Sequence, residues 1–269
     1  MDNQVELDIE RRFGGVSRLY GAAGLAKFQA AHVVVVGIGG VGSWAAEALA
    51  RNAIGCITLI DLDNIAESNV NRQIHALDGA FGKSKVTAMR ERILSINPSC
   101  NVREIEDFIT VENVANLLNF PCDTIVDCID DAQAKAALAA FCKQQKITLI
   151  MTGGAGGRLD ATKIKVADLS AVQGDKLLAK VRNLLRRDFN FPKASNTKKS
   201  AKFGVQAIYS DENIIKPQAN SHAVSGDMRI EENNAITGLN CAGYGSSVSV
   251  TATFGFVAAQ LALNCILQK

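Results

Sequence analysis

The sequence predicts an α/β fold built on a doubly wound, largely parallel, Rossmann-like sheet. An all-apolar, β-branched run, Val33–Val36, leads at once into a glycine turn and then a helix-forming stretch. Strand-like and helix-like segments go on alternating through residue 152. The first run is apolar at successive positions rather than at every second one, which is the pattern of a strand covered by helices on both faces.

In order along the chain, residues 18–31 are Ala-rich with spaced Leu and Phe, and read as a lead-in helix. The strand Val33–Val36 is followed by a helix over about 41–53 and a second strand, Ile57–Ile60, ending at Asp61. Over 83–96 the residues Val86, Met89, Ile93 and Ile96 share one side of a helix, which Asn97-Pro98 stops. Asn101–Ile105 and Thr124–Cys128 are the third and fourth strands, Ala132–Gln145 is an Ala-rich helix, and Ile147–Met151 is the fifth strand. Thr152-Gly-Gly-Ala-Gly-Gly157 breaks the pattern at a strand's C-terminal end. Residues 158–235 are more polar and less periodic, and 189–202 read as a mobile loop. The expected organisation is a nucleotide-binding core over 1–157, a basic insertion over 158–235, and an apolar segment over 236–269 that packs back on the core.

A chain of 269 residues accommodates one large domain or a domain with an elaboration. The net charge of +2 conceals an asymmetry: Lys176–Lys202 holds nine Lys/Arg against one acid, Asp188. That points to a local surface for a polyanion. The seven cysteines include no Cys-x-x-Cys pair and there are three histidines, which argues against a structural zinc site. Scattered cysteines and a polar, acidic N-terminus point to a reduced, cytoplasmic protein. Gly238–Gln268 carries no charge, and Val248–Leu267 is long enough to cross a bilayer. A buried helix behind the sheet is the expectation; membrane association through 248–267 is the alternative.

The chemistry-bearing residues form one long series. Gly37, Gly39, Gly40 and Gly42 make a Gly-x-Gly-Gly-x-Gly turn between strand and helix, where a phosphate can approach free N–H groups. Asp61 stands at the next strand's end, placed to accept from ribose hydroxyls, with Asp63 beside it. Arg72 and Lys85 are two cations suited to a triphosphate, and Asn69 and Gln73 add neutral hydrogen bonds. Asp130 lies just past a strand end and suits Mg²⁺, which takes one or two carboxylates plus phosphate oxygens; Asp127 and Asp131 are alternatives. The inventory favours ATP with Mg²⁺ over a dinucleotide.

These residues, in this order, resemble the ThiF/MoeB/HesA superfamily, the relatives of ubiquitin-activating enzymes. The resemblance implies adenylation of a carboxylate by ATP·Mg²⁺. It places Asp61 on the ribose, Asn69, Arg72, Gln73 and Lys85 around the phosphates, and Asp130 on the metal. It also implies a homodimer in which an N-terminal arginine, Arg18 or Arg12, reaches the partner's phosphates. The chain lacks the paired Cys-x-x-Cys motifs of the sulfur-carrier-activating members. Its basic stretch 176–187, Ile208-Tyr-Ser-Asp-Glu212 and Asn240-Cys-Ala-Gly-Tyr-Gly-Ser-Ser-Val248 resemble instead the branch of tRNA threonylcarbamoyladenosine dehydratases. In the helix 176–187, Leu177, Val181, Leu184 and Leu185 face inward. Lys176, Lys180, Arg182, Arg186 and Arg187, with Lys193, Lys198, Lys199 and Lys202 beyond, then offer a face for a phosphodiester backbone.

The substrate this resemblance implies is tRNA, not DNA, with a sulfur-transfer protein as a further partner. The product is a ring closed by loss of water through an acyl-adenylate. Cys241 is expected to be dispensable. Three other readings compete: activation of a ubiquitin-like or sulfur-carrier protein, a nicotinamide oxidoreductase, and a non-catalytic RNA-binding scaffold. The missing zinc motifs oppose the first, and Arg72, Lys85 and Asp130 have no work in the second. The nearly complete nucleotide set argues against the third.

Overall fold

The computed structural model describes residues 8–193, 201–215 and 244–269. Helix α1 (Ile9–Ala30) begins earlier than the Ala-rich stretch suggests, because the Asp8 carboxylate accepts from Arg11 N at 2.8 Å and caps it. It is kinked at Gly21. Next come β1 (His32–Val36), α2 (Gly42–Arg51), β2 (Cys56–Ile60), α3 (Lys85–Ile96), β3 (Asn101–Ile105), the short α4 (Val114–Leu117), β4 (Thr124–Asp127), α5 (Ala132–Gln145) and β5 (Thr148–Thr152). Apart from the short α4, which the sequence does not suggest, the elements after α1 agree with the sequence expectation to within two residues.

The sheet has seven strands in the order β3-β2-β1-β4-β5-β7-β6. The two added strands, β6 (Ile164–Asp168) and β7 (Gln206–Ser210), come from the segment expected as an insertion. β7 pairs in parallel with β5, and β6 closes the edge antiparallel to β7. Neither announces itself in sequence. β7 offers only Ala207 and Ile208 as consecutive buried apolar positions, and the edge strand β6 leaves Lys165 and Val166 exposed.

The alternation of β1 explains the layering. Val33 and Val35 join the core formed with α1, α2, α3 and α7, while Val34 and Val36 join the core formed with α4, α5 and α6. Helix α6 (Lys176–Asp188) covers α5 with Leu177, Leu178, Val181, Leu184 and Leu185. Helix α7 (Val248–Leu267) is long and apolar enough to span a membrane. In the fold it packs on α2 and the sheet, burying Val250, Phe254, Ala258, Ala262 and Ile266 among others. Its contact with α2 is intimate, because Gly255 lies against the α2 entry at Val41, Trp44 and Ala45.

Chain order reverses between β1 and β4, the two neighbours at the centre of the sheet. In an open α/β sheet the crevice beyond the C-terminal ends of such strands is where ligands sit. The glycine turn leaves β1 there, and Asp130 comes just after β4 there.

Candidate active site

The turn after β1 is geometrically demanding. Gly37 has φ of +84°, and a Cβ on it would lie 2.9 Å from the Cys128 carbonyl oxygen. A Cβ on Gly42 would lie 1.8 Å from the Gly37 oxygen. Only glycine lets β1 turn so sharply into α2. Among the described residues no side chain caps the N-terminus of α2; Ser43 N and Ala45 N donate to Gly39 O and Val41 O, and the other N–H groups of the turn are those an anion would meet.

A cleft opens in front of this turn. One wall carries Gly39, Gly40, Val41 and Arg72. The floor is Cys128, Ile129 and Asp130, past the end of β4. The opposite wall is Thr152–Gly156 with Arg158, then Asp175, Lys176 and Leu177 at the start of α6. Ile214, Tyr244, Ser246 and Thr251 complete it. Two of the three expected catalytic side chains of this chain, Arg72 and Asp130, therefore meet in one cleft with the glycine turn.

The remaining expected nucleotide residues, Asp61, Asn69, Gln73 and Lys85, are not part of the lining of this cleft. The Asp61 carboxylate accepts from Ile38 N at 2.6 Å and from Asp63 N at 2.9 Å, so it braces the turn from the end of β2. Burial raises its pKa, against the pull of Lys85 and those two N–H donors. Lys85, at the start of α3, donates to Asp63 at 2.7 Å and lies 3.9 Å from Asp61. The segment carrying Asn69, Arg72 and Gln73 is held locally. Asn69 Oδ1 accepts from Ala66 N, Arg72 Nη1 donates to Ser68 O and Asn71 Oδ1, and Trp44 Nε1 donates to the Arg72 carbonyl. Gln73 is buried, and its Oε1 has no partner among the described residues.

The structure separates the aspartates around β4. Asp127 is 0 % exposed and accepts from Lys135 Nζ at 3.0 Å, with Lys135 equally buried. Its role is architectural, joining β4 to α5. Asp131 caps α5 by accepting from Ala134 N at 2.8 Å. Asp130 alone of the three lines the cleft. Among the described residues no group of three His, Cys, Asp or Glu is placed to hold a metal. A cation at Asp130 would therefore complete its shell with phosphate oxygens and water, which is how Mg²⁺ usually binds. Burial pushes the Cys128 thiol up to about 12, and the other five described cysteines are raised by burial too. None of these six is a thiolate at neutral pH. Cys241 lies outside the described residues.

The basic face of α6 is narrower than the sequence suggests. Lys176, Lys180 and Arg187 are exposed on one ridge, and Lys202 is exposed beyond it. Arg187 is paired with Asp188 at 2.7 Å. Arg186 is half-buried, donating to Pro192 O and lying over the Phe203 ring. Arg182 is half-buried as well, with Nη1 unpartnered among the described residues. Both sit on the flank of an amphipathic helix, where the long aliphatic stems cover apolar surface. Phe191 and Phe203 are buried against each other. Lys198 and Lys199 lie outside the described residues. Arg18 is exposed on α1, while Arg12 donates to the Ile96 carbonyl at 2.8 Å, closing the end of α3.

Sequence reading missed a buried arginine. Arg158 is 1 % exposed, and its guanidinium donates to Gly154 O at 2.7 Å, Glu212 O at 2.7 Å and Asp175 Oδ2 at 3.3 Å. Asp175 also accepts from Gly154 N and caps α6 through Leu178 N, both at 2.9 Å. The pair thus locks the glycine-rich wall to the start of the basic helix. An Asp before an amphipathic run signals a cap, but nothing in the spacing couples it to Arg158.

The profile of the ThiF family matches residues 14–269. A curated relative from Haemophilus influenzae, described as tRNA threonylcarbamoyladenosine dehydratase, is 46 % identical over 97 % of this chain and 95 % of its own. Crystal structures of E. coli tRNA N6-threonylcarbamoyladenosine dehydratase, TcdA, in complex with ATP and with AMP match with TM-scores of 0.83 and 0.84. Their identities are 44 % and 45 %, and each match covers 96 % of this chain and 95 % of theirs. With the profile matching residues 14–269 and relatives aligning almost end to end across the glycine turn and the doubly wound sheet, the chain belongs to the ThiF family.

Proposed function

We propose that this chain is an ATP-dependent dehydratase of tRNA that carries threonylcarbamoyladenosine. The observation that carries the reading is the cleft itself, where a glycine turn on one wall faces the start of a basic helix on the other. The family relationship extends through that second wall, because near-full-length relatives bear the dehydratase description.

The α2 N-terminus and Arg72 bind the triphosphate, Asp61 accepts from the ribose, and Lys85 moves from Asp63 towards the phosphates when ATP enters. The threonyl carboxylate of the modified adenosine attacks the α-phosphorus. The bond from that phosphorus to the bridging oxygen breaks, and pyrophosphate leaves. The carbamoyl group then attacks the activated carbonyl, AMP is expelled, and a proton is released as the five-membered ring closes. Both reacting groups sit on one modification, so proximity lowers the barrier and no protein thioester is required. Asp130 would hold Mg²⁺, which supplies positive charge to the phosphates when bound. The enzyme works as a cytoplasmic homodimer in which Arg18 of the partner subunit adds a cation to the phosphates. The tRNA backbone lies along Lys180, Arg187 and Lys202, with Arg182 and Arg186 beside them.

The test is nucleoside mass spectrometry of threonylcarbamoyl-modified tRNA after incubation with the protein and Mg²⁺. The expected result is an ATP-dependent loss of one water, absent in Arg72→Ala and Asp130→Ala. No mass change with a folded, ATP-binding protein would move the reading to a protein C-terminus as the carboxylate.

A further inference from the structure

The reaction brings a carboxylate up to a triphosphate, so two anions must share one cleft. A cation is needed on the side away from the nucleotide. Among the described residues three basic side chains line the cleft: Arg72, Arg158 and Lys176. Arg72 stands beside the glycine turn, with its Cγ 3.0 Å from where a Gly40 Cβ would be, and so belongs to the phosphate side. Arg158 is spent, since its donors go to Gly154 O, Glu212 O and Asp175 within a buried pair. That leaves Lys176, which makes no ion pair with an acid among the described residues.

Its position is informative. Lys176 is the first residue of α6, where the helix dipole disfavours a cation, so helix stability does not explain it. The first turn that carries it is fixed. Asp175 caps Leu178 N, accepts from Gly154 N and is pinned by Arg158. The lysine therefore rises from a rigid base, and its flexible stem lets the ammonium sweep the cleft mouth. It is also the end of the exposed Lys176–Lys180–Arg187 ridge nearest the cleft, where the modified base would leave the backbone track and turn inward.

We infer that Lys176 is the residue that recognises the threonyl carboxylate of the substrate, seating it opposite the α-phosphate, rather than one more contact to the tRNA backbone. The inference rests on the dehydratase reading above. Lys176 holds the carboxylate until its oxygen bonds to the α-phosphorus, and the ion pair dissolves when the acyl-adenylate removes the negative charge. Modified and unmodified tRNA are thereby discriminated, because unmodified adenosine offers nothing for Lys176 to grip.

The test compares wild type, Lys176→Met, Lys176→Arg and Lys180→Met, using otherwise identical tRNA with and without the threonylcarbamoyl group. Binding is measured with a non-hydrolysable ATP analogue, and turnover with ATP. Wild type is expected to bind modified tRNA at least about tenfold tighter than unmodified tRNA. Lys176→Met is expected to abolish that preference and lower kcat about a hundredfold, with affinity for unmodified tRNA and KM for ATP changed less than threefold. Lys176→Arg should recover part of both. Lys180→Met should instead weaken both tRNAs equally and flatten the salt dependence of binding. A Lys176→Met enzyme that keeps its preference and its kcat, or that weakens both tRNAs equally, overturns the inference while leaving the dehydratase reading intact. A wild-type enzyme that never dehydrates modified tRNA fails that reading instead.

Discussion

The Lys85 ammonium lies 2.7 Å from the Asp63 carboxylate and 3.9 Å from that of Asp61, outside the lining of the open cleft. On the function proposed above, this lysine exchanges its exposed aspartate partner for phosphate when ATP binds. Lys85→Met should lower kcat/KM for ATP in ATP–pyrophosphate exchange, run with modified tRNA, by about a hundredfold or more. Asp63→Asn removes the storage partner but not the cation and should cost less than about tenfold. A Lys85→Met enzyme within a few-fold of wild type would remove this lysine from the reaction.

The glycine turn predicts a graded series rather than uniform intolerance. An alanine at 42 would drive its Cβ to 1.8 Å from a backbone oxygen, which has no flexible end to give way. An alanine at 40 would meet the aliphatic stem of Arg72 at 3.0 Å, and one at 39 only Gln73 Nε2 at 3.9 Å. Gly42→Ala should destabilise by about 3 kcal/mol or more in urea unfolding. Gly40→Ala should fold but bind ATP more weakly, because it displaces Arg72. Gly39→Ala should stay within about 1 kcal/mol of wild type. Equal losses at all three would mean that the turn is not the determinant.

Asp127 and Asp130 are three residues apart and should behave oppositely. Asp127→Ala strands Lys135 in a dry interior, and breaking such a pair costs about 3–5 kcal/mol. Asp130→Ala removes a side chain from the cleft wall and should leave the melting temperature within about 2 °C while abolishing turnover. Calorimetry and the mass-spectrometric assay on the same preparations separate the two. A stable Asp127→Ala protein, or an active Asp130→Ala protein, would reverse the assignment.

The first five strands and the glycine turn were legible because each rests on local chemistry: β-branched runs, glycine spacing, a proline stop. The chain beyond residue 157 was less legible, because long-range partners set its structure. β7 is recruited by β5, far from it in sequence, and β6 only by β7. Arg158 shows the same limit. A lone arginine after a glycine run carries no sign that Asp175 and the Glu212 carbonyl will surround it. The basic helix was legible as basic but not in its division of labour. Charge is written in the residues, whereas the burial that takes Arg182 and Arg186 off the free surface arises from packing.

His75 lies in the segment just past Gln73, 4 % exposed, with neither ring nitrogen partnered among the described residues. Burial, and then the nearby Lys85 and Arg92, hold its pKa down to about 4 from the ordinary 6.5. Between those values the unfolded chain binds a proton that the native one does not, so stability rises with pH across that window. The contribution is fully present above pH 6.5 and is lost as pH falls towards 4, by roughly 3 kcal/mol in all. Replacing the ring by an apolar side chain removes both the proton and the orphaned nitrogens, so His75→Leu should cost little at pH 7.5. Urea unfolding at pH 7.5, 5.5 and 4.5 should show wild type weakening on acidification by about 2–3 kcal/mol more than His75→Leu. Parallel pH dependence in the two proteins would place the acid sensitivity in the carboxylates instead.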